Sequence, residues 1–359
     1  MGTYLPPEGI KGRGATTNPP GRFDRTRSER INDGWEQDEL PESIATEVRV
    51  DSSRSILSHN DSPDIPFDQS INPSRGREHG CVFCYARPTH SFLDLSPGID
   101  FETKLYYKPD AATLLRAELG KSGYRCRHIM LGANTDPYQP IERRHGVTRA
   151  VLEVLAETRH PVAITTRSTL ILRDLDLLRP MAADGLVSVY LSITTFDSEL
   201  KRRLEPRSAA SLARLHVMQE LSGAGIPVGV MAAPMIPAVN DAELESILER
   251  AAAAGAQRAG YVLLRLPHEL KELFRAWLAQ HLPDRAAHVM SLVQSTRGGQ
   301  DNEAAFGQRM SGTGAWARLL QDRFRLACRK LGLNSAPKES LNTHLFRPPS
   351  AGGQRNLEL

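Results

Sequence analysis

The sequence predicts an α/β protein built on a sheet of parallel strands, and three observations carry that expectation. Short, almost wholly apolar runs recur at 128–131, 162–166, 187–193, 228–232 and 261–264. Amphipathic helical patterns fill the intervals, at 111–119, 148–158, 174–183, 208–222 and 241–254. A shorter strand at 67–71 completes six strands interleaved with five helices. Strands apolar on both faces are those buried beneath helices, and the loops at their carboxyl ends are where such folds gather a site. Periodicity alone does not separate a six-stranded partial barrel from an eight-fold barrel or an open doubly wound sheet.

Taken in order, the chain opens with residues 1–44, rich in Gly, Pro, Arg, Asp and Glu. Few apolar residues cluster there, so burial does not offset the entropy of ordering and a mobile tail is expected. Residues 47–51 alternate polar and apolar side chains, the pattern of a half-buried strand. A proline-rich entry at 61–66 then leads to the first core strand, so 45–71 reads as a cap or hairpin.

Hydrophobic residues are 40% and charged residues 24% of the 359, which suits a soluble globular chain able to bury a sizeable core. A net charge of +3 demands neither a nucleic acid nor an anionic membrane as partner. The four cysteines are too few and too scattered for a disulfide framework and fit a reducing cytoplasm. No apolar run reaches membrane-spanning length and the amino terminus lacks a signal-peptide core, so a cytoplasmic location is expected.

The most informative stretch is 72–90, which reads N-P-S-R-G-R-E-H-G-C-V-F-C-Y-A-R-P-T-H. Gly76 and Gly80 let the backbone wrap closely, and Cys81 and Cys84 stand at C-x-x-C spacing before Tyr85. Several chemistries use such a pair. Zinc held by Cys81, Cys84, His79 and His90 is one reading of the spacing.

The segment also resembles the cluster-binding loop of radical S-adenosylmethionine (SAM) enzymes, in the branch related to spore photoproduct lyase. Their loop has the form C-x3-C-x2-C; Cys81 and Cys84 match its second and third cysteines, and Tyr85 the aromatic that follows. Arg77 stands at the place of the first cysteine, and Ser74 at that of a tyrosine. The resemblance implies a partial (β/α)6 TIM-type barrel at 45–267 with a helical extension at 268–348. It implies a [4Fe–4S] cluster on thiolates, SAM, and reductive cleavage to a 5′-deoxyadenosyl radical acting on an unidentified substrate. A reductant such as flavodoxin or ferredoxin is the implied partner.

A guanidinium has no lone pair to give, so Arg77 is no ligand. A cluster here needs His79, His90 or Cys126 to complete the two-cysteine set. Without one, the fold is left as a SAM-binding or nucleic-acid-binding protein that performs no radical chemistry.

The strand ends supply the remaining candidates. After the second strand, 132–142 is a polar loop with Asn134, Thr135 and Asp136, and the resemblance extends to its T-D-P-Y-Q-P-x-E wording. Turn formation and helix capping explain such residues equally. Arg167 follows the third strand, where the family carries a lysine reaching toward the SAM carboxylate; a helix-entry cation is the plain alternative. Ser192 and Thr194 end the fourth strand on one side, to bond a ligand or each other. The following L-E-P at 204–206 also matches the family.

Ala233 sits in the P-x-I-P element after the fifth strand, where small residues admit an adenine ring, while Met231 and Met235 read as core. Arg265 follows the sixth strand and is a candidate for a substrate or carboxylate. Beyond it come helices at 270–281, with Trp277 inward, and 285–294. An R-G-G at 297–299 offers weak support for nucleic-acid contact, and F-G-Q-R-M at 306–310 extends the family likeness. A last helix, 314–331, is expected to pack over the barrel, and 349–359 to be a free tail.

Overall fold

The computed structural model describes residues 10–24, 43–336 and 341–349. Among the described residues ten strands form: β1 (Glu47–Val50), β2 (Leu57–His59), β3 (Gln69–Ile71), β4 (Ser74–Arg75), β5 (Lys104–Tyr107), β6 (Ile129–Leu131), β7 (Val162–Thr166), β8 (Val187–Ile193), β9 (Val228–Met235) and β10 (Arg258–Leu263). The main sheet has the order β10-β9-β8-β7-β6-β3-β2, in which β3 and β6 to β10 run parallel and β2 pairs antiparallel with β3. Its six parallel strands are those of the expected partial barrel, and the antiparallel β2 adds a seventh at one edge, opposite β10.

Register brings the strand ends into one line. Ile71 pairs with Leu131, Leu131 with Ile164, Thr166 with Leu191, and Ile193 with Ala232. The loops that follow therefore emerge together as a rim.

β7 and β8 match their sequence-based bounds because both faces are buried beneath Val147–Glu157, Leu175–Ala183 and Ser211–Gly223. β10 begins three residues earlier than its apolar run, since five of its six residues are only half-buried and carry little hydrophobic signal. Ser198–Leu204, a helix the apolar pattern did not indicate, starts at Asp197, whose carboxylate accepts from the N–H groups of Glu199 and Leu200.

The hairpin expected within 45–71 is β2 with β3. β1 instead joins a separate three-stranded sheet, ordered β1-β5-β4. Of the stretch expected to be a tail, residues 10–24 lie against the protein: Ile10 and Ala15 are buried, and Gly14 and Ala15 donate their N–H groups to Glu102. The physical reason is one buried carboxylate that rewards backbone donors, which side-chain composition does not display. Residues 1–9, 25–42 and 350–359 fall outside the described residues.

Among the described residues two large apolar bodies and a small one at Ile10, Ala15 and Ile99 hold the architecture. The larger lies between the sheet and its helices. The second gathers Val82, Phe83 and both cysteines with Leu204, Leu266, Phe274 and Trp277, so helix Leu270–His281 backs the cysteine loop. Trp277 is fully buried, stacks on Phe274 at 5.7 Å and donates from Nε1 to the Arg203 carbonyl. The last helix, Gly314–Leu331, packs along Leu244–Ala253 on the outside rather than over the barrel, with Arg323 on Glu245 at 2.6 Å.

Candidate cluster and cofactor site

The loop after β3 is held by its backbone before any cofactor is considered. Gly76 and Gly80 adopt φ of +77° and +70°, and a Cβ on Gly76 would stand 2.5 Å from Leu105. Val82 N–H donates to Leu204 O and Arg207 N–H to His79 O, tying the loop to the turn after β8. Arg87, fully buried, donates to the carbonyls of Cys81, Pro97 and Gly98 and pairs with Glu102. Glu102 in turn accepts from Gly14 N–H at 2.9 Å and Ala15 N–H at 2.8 Å. The amino-terminal segment is thus strapped to the back of the cysteine loop.

Cys81 and Cys84 are 1% and 3% exposed and reach the strand-end rim. Arg167, just past β7, donates from Nη1 to Cys81 Sγ at 3.2 Å and to Glu205 at 2.8 Å. Glu205 is fully buried and also receives Arg214 at 2.5 Å. Burial pushes the Cys81 thiol up, and Glu205 adds to that while Arg167 and Arg77 oppose it. For Glu205, burial acts upward too, but Arg214 and Arg167 together hold it below the usual carboxylate range.

The other sequence candidates assemble around the same rim with unequal freedom. Tyr85 is 44% exposed, its hydroxyl donating to Ala133 O. Asn134 is exposed and its carbonyl accepts from Arg77, while Asn72 Oδ1 receives its N–H. Thr135 is buried and donates to Ser74 O. Asp136 accepts from Thr166 Oγ1, Tyr138 N–H and Arg167 N–H, so its carboxylate is spent bracing the rim. Ser192 and Thr194 are buried; the Ser192 carbonyl takes Arg214, and Thr194 Oγ1 donates to Ala233 O at 3.3 Å. Arg167 directs its Nη1 at Cys81 and Glu205.

Sequence reasoning missed Glu205, Arg214 and Glu102 as parts of this site. The L-E-P turn was the one available signal, and the burial of all three is what marks them.

The groups that could stand in for the missing thiolate are placed as follows. His79 Nδ1 stands 3.6 Å from Asp136, and burial pushes its pKa down to about 3. His90 Nε2 engages Lys104 O at 3.0 Å and its ring packs edge-on to Phe101. Cys126 precedes β6 and lines a groove with Arg127, His128 and Leu341, at the opposite end of that strand from Asn134. Among the described residues no group of three or more His, Cys, Asp or Glu is placed to hold a metal ion.

What occupies the third position is a cation. The half-buried Arg77 donates from Nη2 to Asn134 O at 3.1 Å, and its Nε is buried with no partner. Burial works against its charge, but the nearby Cys84 and Cys81 sulfurs hold its pKa above the ordinary value. Two thiols beside a guanidinium do not fit a three-thiolate [4Fe–4S] cluster.

A family model, the radical SAM superfamily, matches residues 71–251. The chain belongs to the radical SAM superfamily. It is 36% identical over 232 residues to uncharacterized proteins of Mycobacterium tuberculosis and Mycobacterium bovis, covering 64% of this chain and 68% of each. An uncharacterized protein of Methanocaldococcus jannaschii is 28% identical over 173 residues, 48% of this chain and 62% of its own. Among solved structures, spore photoproduct lyase complexed with dinucleoside spore photoproduct superposes with a TM-score of 0.57 at 16% identity, covering 80% of both chains. A variant of that lyase with AdoMet and dinucleoside spore photoproduct bound gives 0.56 at 15%, again over 80% of both. The radical SAM fold and its likeness to that lyase are the expected ones. Among the described residues no helix is long and apolar enough to cross a membrane.

Proposed function

We propose that this radical SAM protein binds S-adenosylmethionine on its strand-end rim without the three-thiolate cluster of its family. The observation that carries the reading is Arg77, which stands at the place of the family's first thiolate, donates to Asn134 O and keeps a buried, unpartnered Nε. A SAM carboxylate that has no iron to chelate needs another cation, and a guanidinium fork matches a carboxylate in shape and charge. The exposed Tyr85 ring, fixed through its hydroxyl, offers an aromatic face to adenine. Ala233, a small residue near the end of β9, leaves room beside it, while Asn134, Thr135, Ser192 and Thr194 contribute polar groups and main chain around the ribose and methionine.

Reductive cleavage of SAM, the chemistry that a [4Fe–4S] cluster supplies in this family, is not assigned to the chain carrying Arg77. A second reading keeps it for an Arg77→Cys protein, because Cys81 and Cys84 already share the rim with Tyr85 and Arg167. That protein would also need a reductant of the flavodoxin or ferredoxin type. No observation favours the nucleic-acid reading: Arg297 of the R-G-G is 1% exposed and spends its donors on carbonyls. A cytoplasmic setting suits free thiols at this site.

Calorimetric titration of iron-free protein with SAM tests the proposal. One SAM per chain is expected, with affinity lowered about tenfold or more in Arg77→Met, the scale of a charge-assisted contact. No heat of SAM binding to the unsubstituted chain removes the reading.

A further inference from the structure

Beside Tyr85, a second cation, Arg265, has no carboxylate partner among the described residues. Arg265 follows β10 and is half-buried, with its Nε shielded from solvent and without a partner. Its Nη1 lies 3.7 Å from Met310 Sδ and its guanidinium carbon 5.4 Å from the centre of the Tyr85 ring. Among the described residues no carboxylate comes within ion-pair distance of it. Asp64, a carboxylate that acts on it electrostatically, is itself paired with Arg309. A desolvated guanidinium left with a thioether and an aromatic face lowers the stability of the protein by itself.

The surroundings nevertheless hold Arg265 in place. Buried Arg297 donates to Leu263 O and Leu264 O just before it, and to Gln308 O and Arg309 O beside Met310. Leu263 N–H donates to Met310 O, and Leu266 N–H to Asn302 Oδ1 at 3.1 Å. The R-G-G and F-G-Q-R-M segments thus serve as a brace around one unsatisfied cation. Fixing a guanidinium whose partners are a thioether and an aromatic face, with its Nε unbonded and no carboxylate on it among the described residues, is what an anion site requires.

We infer that Arg265, stacked over Tyr85, forms a subsite for an oxyanion of the substrate, a phosphate or a carboxylate, placed above the ring assigned to adenine. Arg265 presents a planar fork that either anion accepts in bidentate fashion, with the Tyr85 ring within cation–π distance of its guanidinium. This assignment rests on the proposed SAM rim and adds to it the charge class of the second ligand.

The test uses the full chain, loaded with SAM, titrated with inorganic phosphate and separately with acetate at constant ionic strength in chloride. Binding of at least one anion is expected, weakened about tenfold or more in Arg265→Met and largely restored in Arg265→Lys. Stronger phosphate binding identifies a phosphate ester as the source, and comparable acetate binding a carboxylate. Absence of both, or equal affinity in Arg265→Met with unchanged circular dichroism, overturns the subsite. SAM titration of the same samples keeps the two claims apart: SAM bound without any anion effect sinks only the subsite, whereas no SAM binding sinks the rim assignment beneath it.

Discussion

Arg167 donates from Nη1 to Cys81 Sγ at 3.2 Å, joining the end of β7 to a cysteine 86 residues earlier in the chain. The contact shows that the cysteine loop reaches the rim. The same Nη1 also donates to Glu205 at 2.8 Å, so this nitrogen is shared between the thiol and a buried carboxylate.

Restoring the absent thiolate is the most direct perturbation. Arg77→Cys should retain more iron and inorganic sulfide after anaerobic reconstitution than the unsubstituted chain, and should gain a brown chromophore. Equal iron and sulfide in the two proteins would mean that the third position does not control assembly.

Glu205 lies buried between two guanidinium groups, so Glu205→Gln leaves both Arg167 and Arg214 without a carboxylate. Breaking a buried pair from one side costs about 3–5 kcal/mol. Urea denaturation should show a loss of that size, and faster alkylation of Cys81 should accompany it as Arg167 is released. A loss below about 1 kcal/mol would show that water reaches the network.

Gly14 lies against the cysteine loop, and a Cβ there would stand 1.7 Å from Gly80 O. Gly14→Ala should lift the amino-terminal strap from Glu102, at about 1–3 kcal/mol for an overpacked contact. Limited proteolysis should then cut sooner within residues 10–24, with both cysteines alkylated faster by iodoacetamide. An unchanged cleavage pattern would show that the strap is not anchored there.

His160 provides a pH signature. Its Nδ1 donates to Pro161 O, its Nε2 accepts from Tyr124, and Phe346 covers the ring, so burial holds its pKa down to about 4 against 6.5 when exposed. The unfolded chain therefore binds a proton that the folded one refuses between pH 6.5 and about 4. Stability should fall as pH drops through that window, by on the order of 2 kcal/mol from this group. His160→Asn should flatten this part of the melting-temperature profile; a profile of unchanged slope would assign the acid loss to other groups.

Much of the fold was legible because burial writes itself into apolar spacing. Val162–Thr166 and Val187–Ile193 are apolar where the sheet is covered, and helix Ala111–Leu119 shows its buried positions at Ala111, Leu115 and Leu119. The half-buried start of β10 and the docking of residues 10–24 were not legible, for they depend on backbone groups common to every residue. At the site, Cys81, Cys84 and Tyr85 were marked by their spacing. Glu205 and Arg214 look like surface charges in the sequence, and only their 0% exposure identifies them as a buried pair.

The order of residues alone therefore settled the six alternating strand–helix units, the superfamily resemblance and the identity of the groups that stand in the cysteine loop. It could not settle where the donors of Arg167, Arg77 and Arg265 are spent, because their partners lie on other strands, far away along the chain. Hydrophobic periodicity is a local property of the chain, whereas the pairing of a buried charge is decided only when parallel register brings distant strand ends to the same rim.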